Sequence, residues 1–286
     1  MCVCINSYEN NTFYIIIDHT VNSVSTAAAN AKIDIQNDDR AVAYGEKLAR
    51  MVRCETISSR DHMDLTKFEK FHSGLADLFP NVHANCEKHV FDGSLLFKWA
   101  GKGKAEPIVL MSHQDVVEAG GAWKYPPFSG TVAEDRLWGR GTLDTKGTLC
   151  GILEALESLL GKGYVPRQDL YLSFSGDEEI SGDSCPEIVR WFESQGIKPA
   201  MVVDEGGAVV ENVFPGVTQP CGLIGIAEKG MMNVEYKVHS GGGHASAPPV
   251  KTPIGTLSQA CRDIETHPTK MHITKPAREM FDTLGR

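Results

Sequence analysis

The chain has 286 residues, 42% of them hydrophobic and 23% charged, enough for one large core or two smaller ones. Its net charge of −9 speaks against partners that present phosphate, nucleic acid or an anionic membrane, because both require a broad basic surface. Eight cysteines without a single CxxC pair speak against a disulfide framework or a cysteine zinc site and for free thiols in a reducing compartment.

Residues 1–36 show no strong period and are expected to be a poorly ordered leader. No run approaches the roughly 20 apolar residues that span a bilayer. The stretch Phe13-Tyr14-Ile15-Ile16-Ile17 is short even for a signal-peptide core. A cytoplasmic protein is therefore expected. Asn37 or Asp38 can cap a helix carrying Val42, Leu48, Ala49 and Val52. Leu65, Phe68, Phe71, Leu75 and Leu78 recur at intervals of three and four and predict a second helix, stopped by Pro80, with His72 at its edge. Residues 94–100 and 107–117 are predicted strands, joined by a turn at 101–104. A helix at 148–160, a strand at 169–175, a helix at 186–194 and a strand at 200–203 follow. This alternation predicts an α/β fold, a mostly parallel sheet flanked by helices. Past about residue 222 the pattern changes to a strand at 232–239, a glycine turn at 241–243 and a helix at 253–266, the expected start of a second domain. Lys229 is taken as a surface charge near that boundary, and His83 and His89 as exposed.

Ligands of open α/β sheets bind beyond the carboxyl ends of strands, and three polar clusters fall there. The first is His113-Gln114-Asp115. Residues i and i+2 of an extended segment point the same way, so His113 can bind a metal through one ring nitrogen while Asp115 accepts a hydrogen bond from the other. Alone, the pair reads better as a solvated His and Asp in a loop. The second is the glycine-rich segment 139–147, directly before a helix. It fails the phosphate-loop pattern, since Lys146 is followed by Gly147 rather than by Ser or Thr. Asp144 within it can bridge two cations about 3.5–4 Å apart or simply cap the helix. The third is Asp177-Glu178-Glu179. Adjacent carboxylates repel unless a positive charge lies beside them; the alternative is an acidic surface turn. Asp204-Glu205 offers a further carboxylate at another strand end. Together, one histidine and several carboxylates form a nitrogen and oxygen donor set suited to zinc. No G-x-S-x-G elbow and no HExxH helix competes with that reading.

The segments MSHQDVV (111–117), WKYPPFSG (123–130), DRLWGRGTLDTKG (135–147), SGDEEISG (175–182), VVDEGG (202–207) and HSGGGHASAPP (239–249) resemble, in order, the zinc metallopeptidase family of carboxypeptidase S, aminoacylase, acetylornithine deacetylase and succinyl-diaminopimelate desuccinylase. The carboxypeptidase S branch is the nearest match. The resemblance implies a zinc-exopeptidase-like catalytic domain at 37–224 and the start of a smaller α+β lid or dimerisation domain at 225–286, with a homodimer formed through the lid. It implies two zinc ions, or cobalt or manganese in their place: His113 on one, Asp144 bridging, Glu179 on the other, and Asp204 as a further ligand with Glu205 as its rival. Glu178 would be general base and acid, Asp115 would orient His113, and His244 would reach a partner's site to stabilise the transition state. The implied reaction is cleavage of the amide bond of a peptide or N-acyl amino acid by a metal-activated water. Family members continue beyond the lid and supply a late histidine ligand, so a fragment or truncated product is expected. Its alternative function is that of an inactive metal-binding or partner-binding remnant.

Overall fold

A computed structural model describes residues 39–206, 208–218, 220–226 and 233–284. The expected leader lies outside them, as does Lys229. The chain divides into two compact units, one of residues up to 210 with 221–227, the other of 211–220 with 228–286.

The first unit opens with α1 (Asp39–Val52) and α2 (Leu65–Leu78), where the apolar spacing puts them. The Asp64 carboxylate caps α2 by accepting from the Thr66 backbone N–H at 3.1 Å, satisfying one of the donors that a helix start leaves open. Phe68, Phe71, Leu75 and Leu78 form its buried stripe. In α1 the buried positions are Ala49, Met51 and Val52, whereas Val42, expected among them, is 64% exposed. Pro80 ends α2 but also begins a short helix α3 (Pro80–Asn85), because a proline's missing N–H goes unnoticed in a first turn.

Next come the hairpin β1 (Glu87–Phe91) and β2 (Ser94–Trp99), then β3 (Ile108–His113), the small hairpin β4 (Thr131–Ala133) and β5 (Arg136–Trp138), and α4 (Lys146–Gly161). After these follow β6 (Leu170–Ser175), α5 (Ser184–Ser194), β7 (Met201–Val203) and the hairpin β8 (Ala208–Val210) and β9 (Cys221–Leu223). The main sheet runs β1-β2-β6-β3-β7. β6 is parallel to β3, and β3 to β7, while β2 is antiparallel to both β6 and β1. The expected α/β sheet flanked by helices is present, and the antiparallel hairpin at its edge makes it mixed. Although residues 101–104 link β2 to β3 in sequence, β6 lies between those strands.

Side chains alternate across a strand, and this divides the core in two. Leu95, Phe97, Trp99, Leu172 and Phe174 face the helices α1 to α4, packing with Met51, Phe71, Leu75, Phe79 and Leu149. Leu96, Val109 and Tyr171 face the other way, under Ile188 and Phe192 of α5. His83 and His89, expected to be exposed, are half-buried, the first edge-on to Phe97 and the second tilted against Trp191. The six described cysteines are free, and no helix among the described residues is long and apolar enough to cross a membrane.

In the second unit, Thr252 caps α6 (Pro253–Thr266), and α7 (Lys275–Leu284) follows. Residues 233–239 carry no strand, contrary to expectation. A strand exists only through its ladder to a neighbour, and the described residues supply none for this segment.

Lys146 at the start of α4 is wholly buried. Its ammonium donates to the carbonyls of Cys54 at 2.6 Å and Met51 at 3.3 Å and lies 5.1 Å from the centre of the Phe71 ring. Burial nevertheless pulls its pKa down to about 8. The unfolded chain therefore holds this proton more tightly than the folded one, and stability rises with pH between about 8 and the ordinary lysine value, by up to about 3 kcal/mol. Lys146→Met should abolish that rise, which urea unfolding of both proteins at the two ends of this range will measure.

Candidate metal centre

The parallel strands β3, β6 and β7 end on one side of the sheet, and the loops beyond them hold the polar clusters. His113 is the last residue of β3 and is 1% exposed. Its Nδ1 lies 3.0 Å from the Asp115 carbonyl oxygen and 3.3 Å from Asp115 Oδ1. That leaves Nε2 facing three carboxylates: Asp144 Oδ1 at 2.9 Å, Glu205 Oε2 at 3.5 Å and Glu178 Oε2 at 3.8 Å. Asp144 comes from the loop before α4, Glu178 and Glu179 from a single 3-10 turn (Glu178–Ile180) after β6, and Glu205 from the residues after β7.

Asp115 has no exposure at all. Its carboxylate accepts from Ser58 Oγ at 2.7 Å and from the backbone N–H groups of Glu178 at 3.2 Å and Glu179 at 3.1 Å. Burial alone would raise its pKa, but the hydrogen bonds from His113 and Ser58 outweigh it and hold the group below the usual range. Burial likewise opposes a charge on His113, yet Asp115 and Glu205 push that imidazole up to about 11. Glu178 and Glu179 are raised, by burial first and then by neighbouring carboxylates. The hydrogen bond to His113 lowers Glu205. A positive charge, whether a proton on the imidazole or a cation beside it, is what makes this crowding of carboxylates tolerable.

A cation fits that place. His113 with Asp144 and Glu179, and His113 with Glu178 and Glu205, form two groups whose donor atoms lie within 4.8 Å of one another. One imidazole nitrogen with carboxylate oxygens suits zinc, and a carboxylate on the far ring nitrogen is the usual support of a histidine ligand. Binding would displace the proton from Nε2.

Of the remaining residues singled out in the sequence, Asp204 lines a cavity of about 230 Å³ together with His113, Glu178 and Cys185, while its neighbour Glu205 reaches the imidazole. His244, in the second unit, is exposed, with Nδ1 2.8 Å from Ser246 Oγ. Lys146, turned into the core, is in no position to hold a phosphate, which closes that reading of 139–147. Two buried residues escaped sequence reasoning: Ser58, which no period or motif marks, and Gln114, which stands inside one of the motifs.

A mixed α/β sheet with a histidine and clustered carboxylates beyond its parallel strands suits the class of the metallopeptidases. Within that class the chain belongs to peptidase family M20/M25/M40, which matches residues 109–284. It is 32% identical to the probable carboxypeptidase S-like 2 of Dictyostelium discoideum, over 95% of this chain and 56% of that one. Against the N-fatty-acyl-amino acid synthase/hydrolase PM20D1 of Xenopus tropicalis the identity is 38%, over 84% and 48%. Against carboxypeptidase S of Saccharomyces cerevisiae it is 35%, over 78% and 41%. These names bear out the carboxypeptidase S branch. The chain spans about half the length of the curated relatives it matches.

Removing the Asp115 carboxylate would leave the Ser58 hydroxyl and the backbone N–H groups of Glu178 and Glu179 without their acceptor, while the Asp115 carbonyl keeps its contact with His113 Nδ1. Asp115→Ala should therefore cost about 3–5 kcal/mol of stability, read as a fall in the urea midpoint of the metal-free protein at neutral pH.

Proposed function

We propose that this chain carries the catalytic centre of a two-zinc hydrolase acting on the amide bond of peptides or N-acyl amino acids. The observation that carries the proposal is His113 Nε2 facing Asp144, Glu178 and Glu205 from three separate loops while Asp115 holds the opposite ring nitrogen. The names of the relatives supply the two substrate classes, carboxypeptidase for peptides and acyl-amino acid hydrolase for N-acyl amino acids.

In this reading His113 and Glu205 would hold one ion and Glu179 the other, with Asp144 shared between them. Glu205 takes the place first expected of Asp204, because its carboxylate is the one beside the imidazole. Zinc, when bound, supplies the charge that lowers the pKa of a water towards about 7 and polarises the scissile carbonyl. Cobalt or manganese would suit the same donors. Glu178, raised above an ordinary carboxylate, accepts the proton of the attacking water and returns it to the leaving amine. Asp115 keeps the ring of His113 in one tautomer. Residues 37–224 act as the catalytic domain and 225–286 as a lid and dimerisation element, from which His244 donates to the developing oxyanion in a partner's site.

Elemental analysis of the purified chain should find two zinc ions, and dipeptides and N-acyl amino acids should be tried as substrates. Glu178→Gln should retain the metal and lose about 10²–10⁴-fold in turnover; unchanged turnover would refute its role. Asp144→Asn should lose metal. A wild-type chain that takes up no zinc sinks the proposal, and one that binds zinc without any turnover is the inactive remnant.

A further inference from the structure

We infer that Gln114 is a positioning residue, joined with His72 in a bracket that sets the spacing of the metal-binding loops. The inference rests on the metal-centre reading above. Gln114 stands between His113 and Asp115, but its side chain makes none of the site's contacts. It is wholly buried, and a buried primary amide has to find partners for its N–H groups and its oxygen within the protein. Nε2 donates to the carbonyls of Gly93 at 2.9 Å and Phe174 at 2.8 Å. Two carbonyls can only accept, so this end of the side chain is the nitrogen. The oxygen therefore accepts from His72 Nε2 at 2.8 Å, and His72 carries its proton on Nε2.

The backbone of the same residue extends the bracket. Its N–H donates to the Ser175 carbonyl at 2.8 Å, and its carbonyl accepts from Thr56 Oγ1 at 2.6 Å. Gln114 thus joins α2, the β1–β2 turn, the end of β6 and the segment preceding Ser58. Gly93 is the critical partner. A Cβ at Gly176 would stand 2.7 Å from the Gly93 carbonyl oxygen, so the turn presses directly on the backbone that leads to Glu178 and Glu179. Holding Gly93 and Phe174 against the end of β3 fixes where that backbone leaves the sheet. It thereby fixes the separation of His113 from the two glutamates. An apolar side chain would fill the volume but take away the partner of His72 Nε2 and of the Gly93 and Phe174 carbonyls, leaving this spacing free to widen.

The test compares Gln114→Met, His72→Leu and His72→Gln, the last of which restores an N–H donor to the Gln114 oxygen. Gln114→Met should weaken zinc binding about 10–100-fold, measured by competition with a chromophoric chelator, and shift the visible bands of the cobalt-substituted protein. In metal-free protein, hydrogen exchange of residues 176–182 should accelerate about tenfold or more relative to residues 39–52. His72→Leu should move the same readouts in the same direction, and it serves if Gln114→Met does not fold. His72→Gln should stay within about threefold of wild type. Wild-type zinc affinity together with unchanged exchange at 176–182 in Gln114→Met or His72→Leu would make the pair core filler and overturn the inference. Should wild type bind no zinc, the metal-centre reading fails, while the metal-free exchange still decides whether Gln114 sets the loop.

Discussion

A carboxylate sealed from water has to draw its hydrogen bonds from the protein, and Asp115 draws them from three places at once. The imidazole of His113, the hydroxyl of Ser58 and the backbone N–H groups at the head of the 3-10 turn all converge on it. One side chain therefore sets both the ring orientation of His113 and the position of Glu178 and Glu179. Each donor is also worth more here than at a surface, because an unpaired charge in such surroundings would be untenable. The geometry beyond the carboxyl ends of β3 and β6 follows from satisfying that one group.

The same charge logic relates the ion-free chain to a loaded one. Around the imidazole of His113 stand Asp115, Asp144, Glu178 and Glu205, with Glu179 beside them. A proton on the imidazole offsets part of that negative charge; a divalent cation would offset more and turn the imidazole back into a neutral donor. Burial first, and then neighbouring carboxylates, raise Glu178 and Glu179, whereas the hydrogen bond with His113 lowers Glu205; a nearby cation would lower the two that are raised.

Much of this was legible beforehand, and what was not has physical reasons. The helix Pro253–Thr266 was read with the bounds it has, and the apolar spacing from Leu65 to Leu78 before Pro80 located another. His113, Glu178 and Glu179 could be placed at or beyond strand ends because apolar runs locate those ends. The strand Glu87–Phe91 was missed: it is an edge strand with no buried residue, so no alternation betrays it, although Asp92-Gly93 is a hairpin turn in composition. Strand direction was out of reach too, since nothing local says that β6 inserts between β2 and β3. Whether Asp204 or Glu205 turns toward the imidazole depends on a bend after a three-residue strand. Ser58 and Gln114 are buried polar residues, whose partners only the assembled fold supplies.

That insertion of β6 has a consequence for synthesis on the ribosome. β2 and β3 both take β6 as a neighbour, and β6 is made some sixty residues after β3 ends. At about 5–20 residues per second, the nascent chain waits roughly 3–12 s with two apolar strands lacking the partner that will separate them. The hairpin β1–β2 can close in that interval, but the sheet cannot be completed. During elongation β2 and β3 thus stay without their shared neighbour until β6 is made.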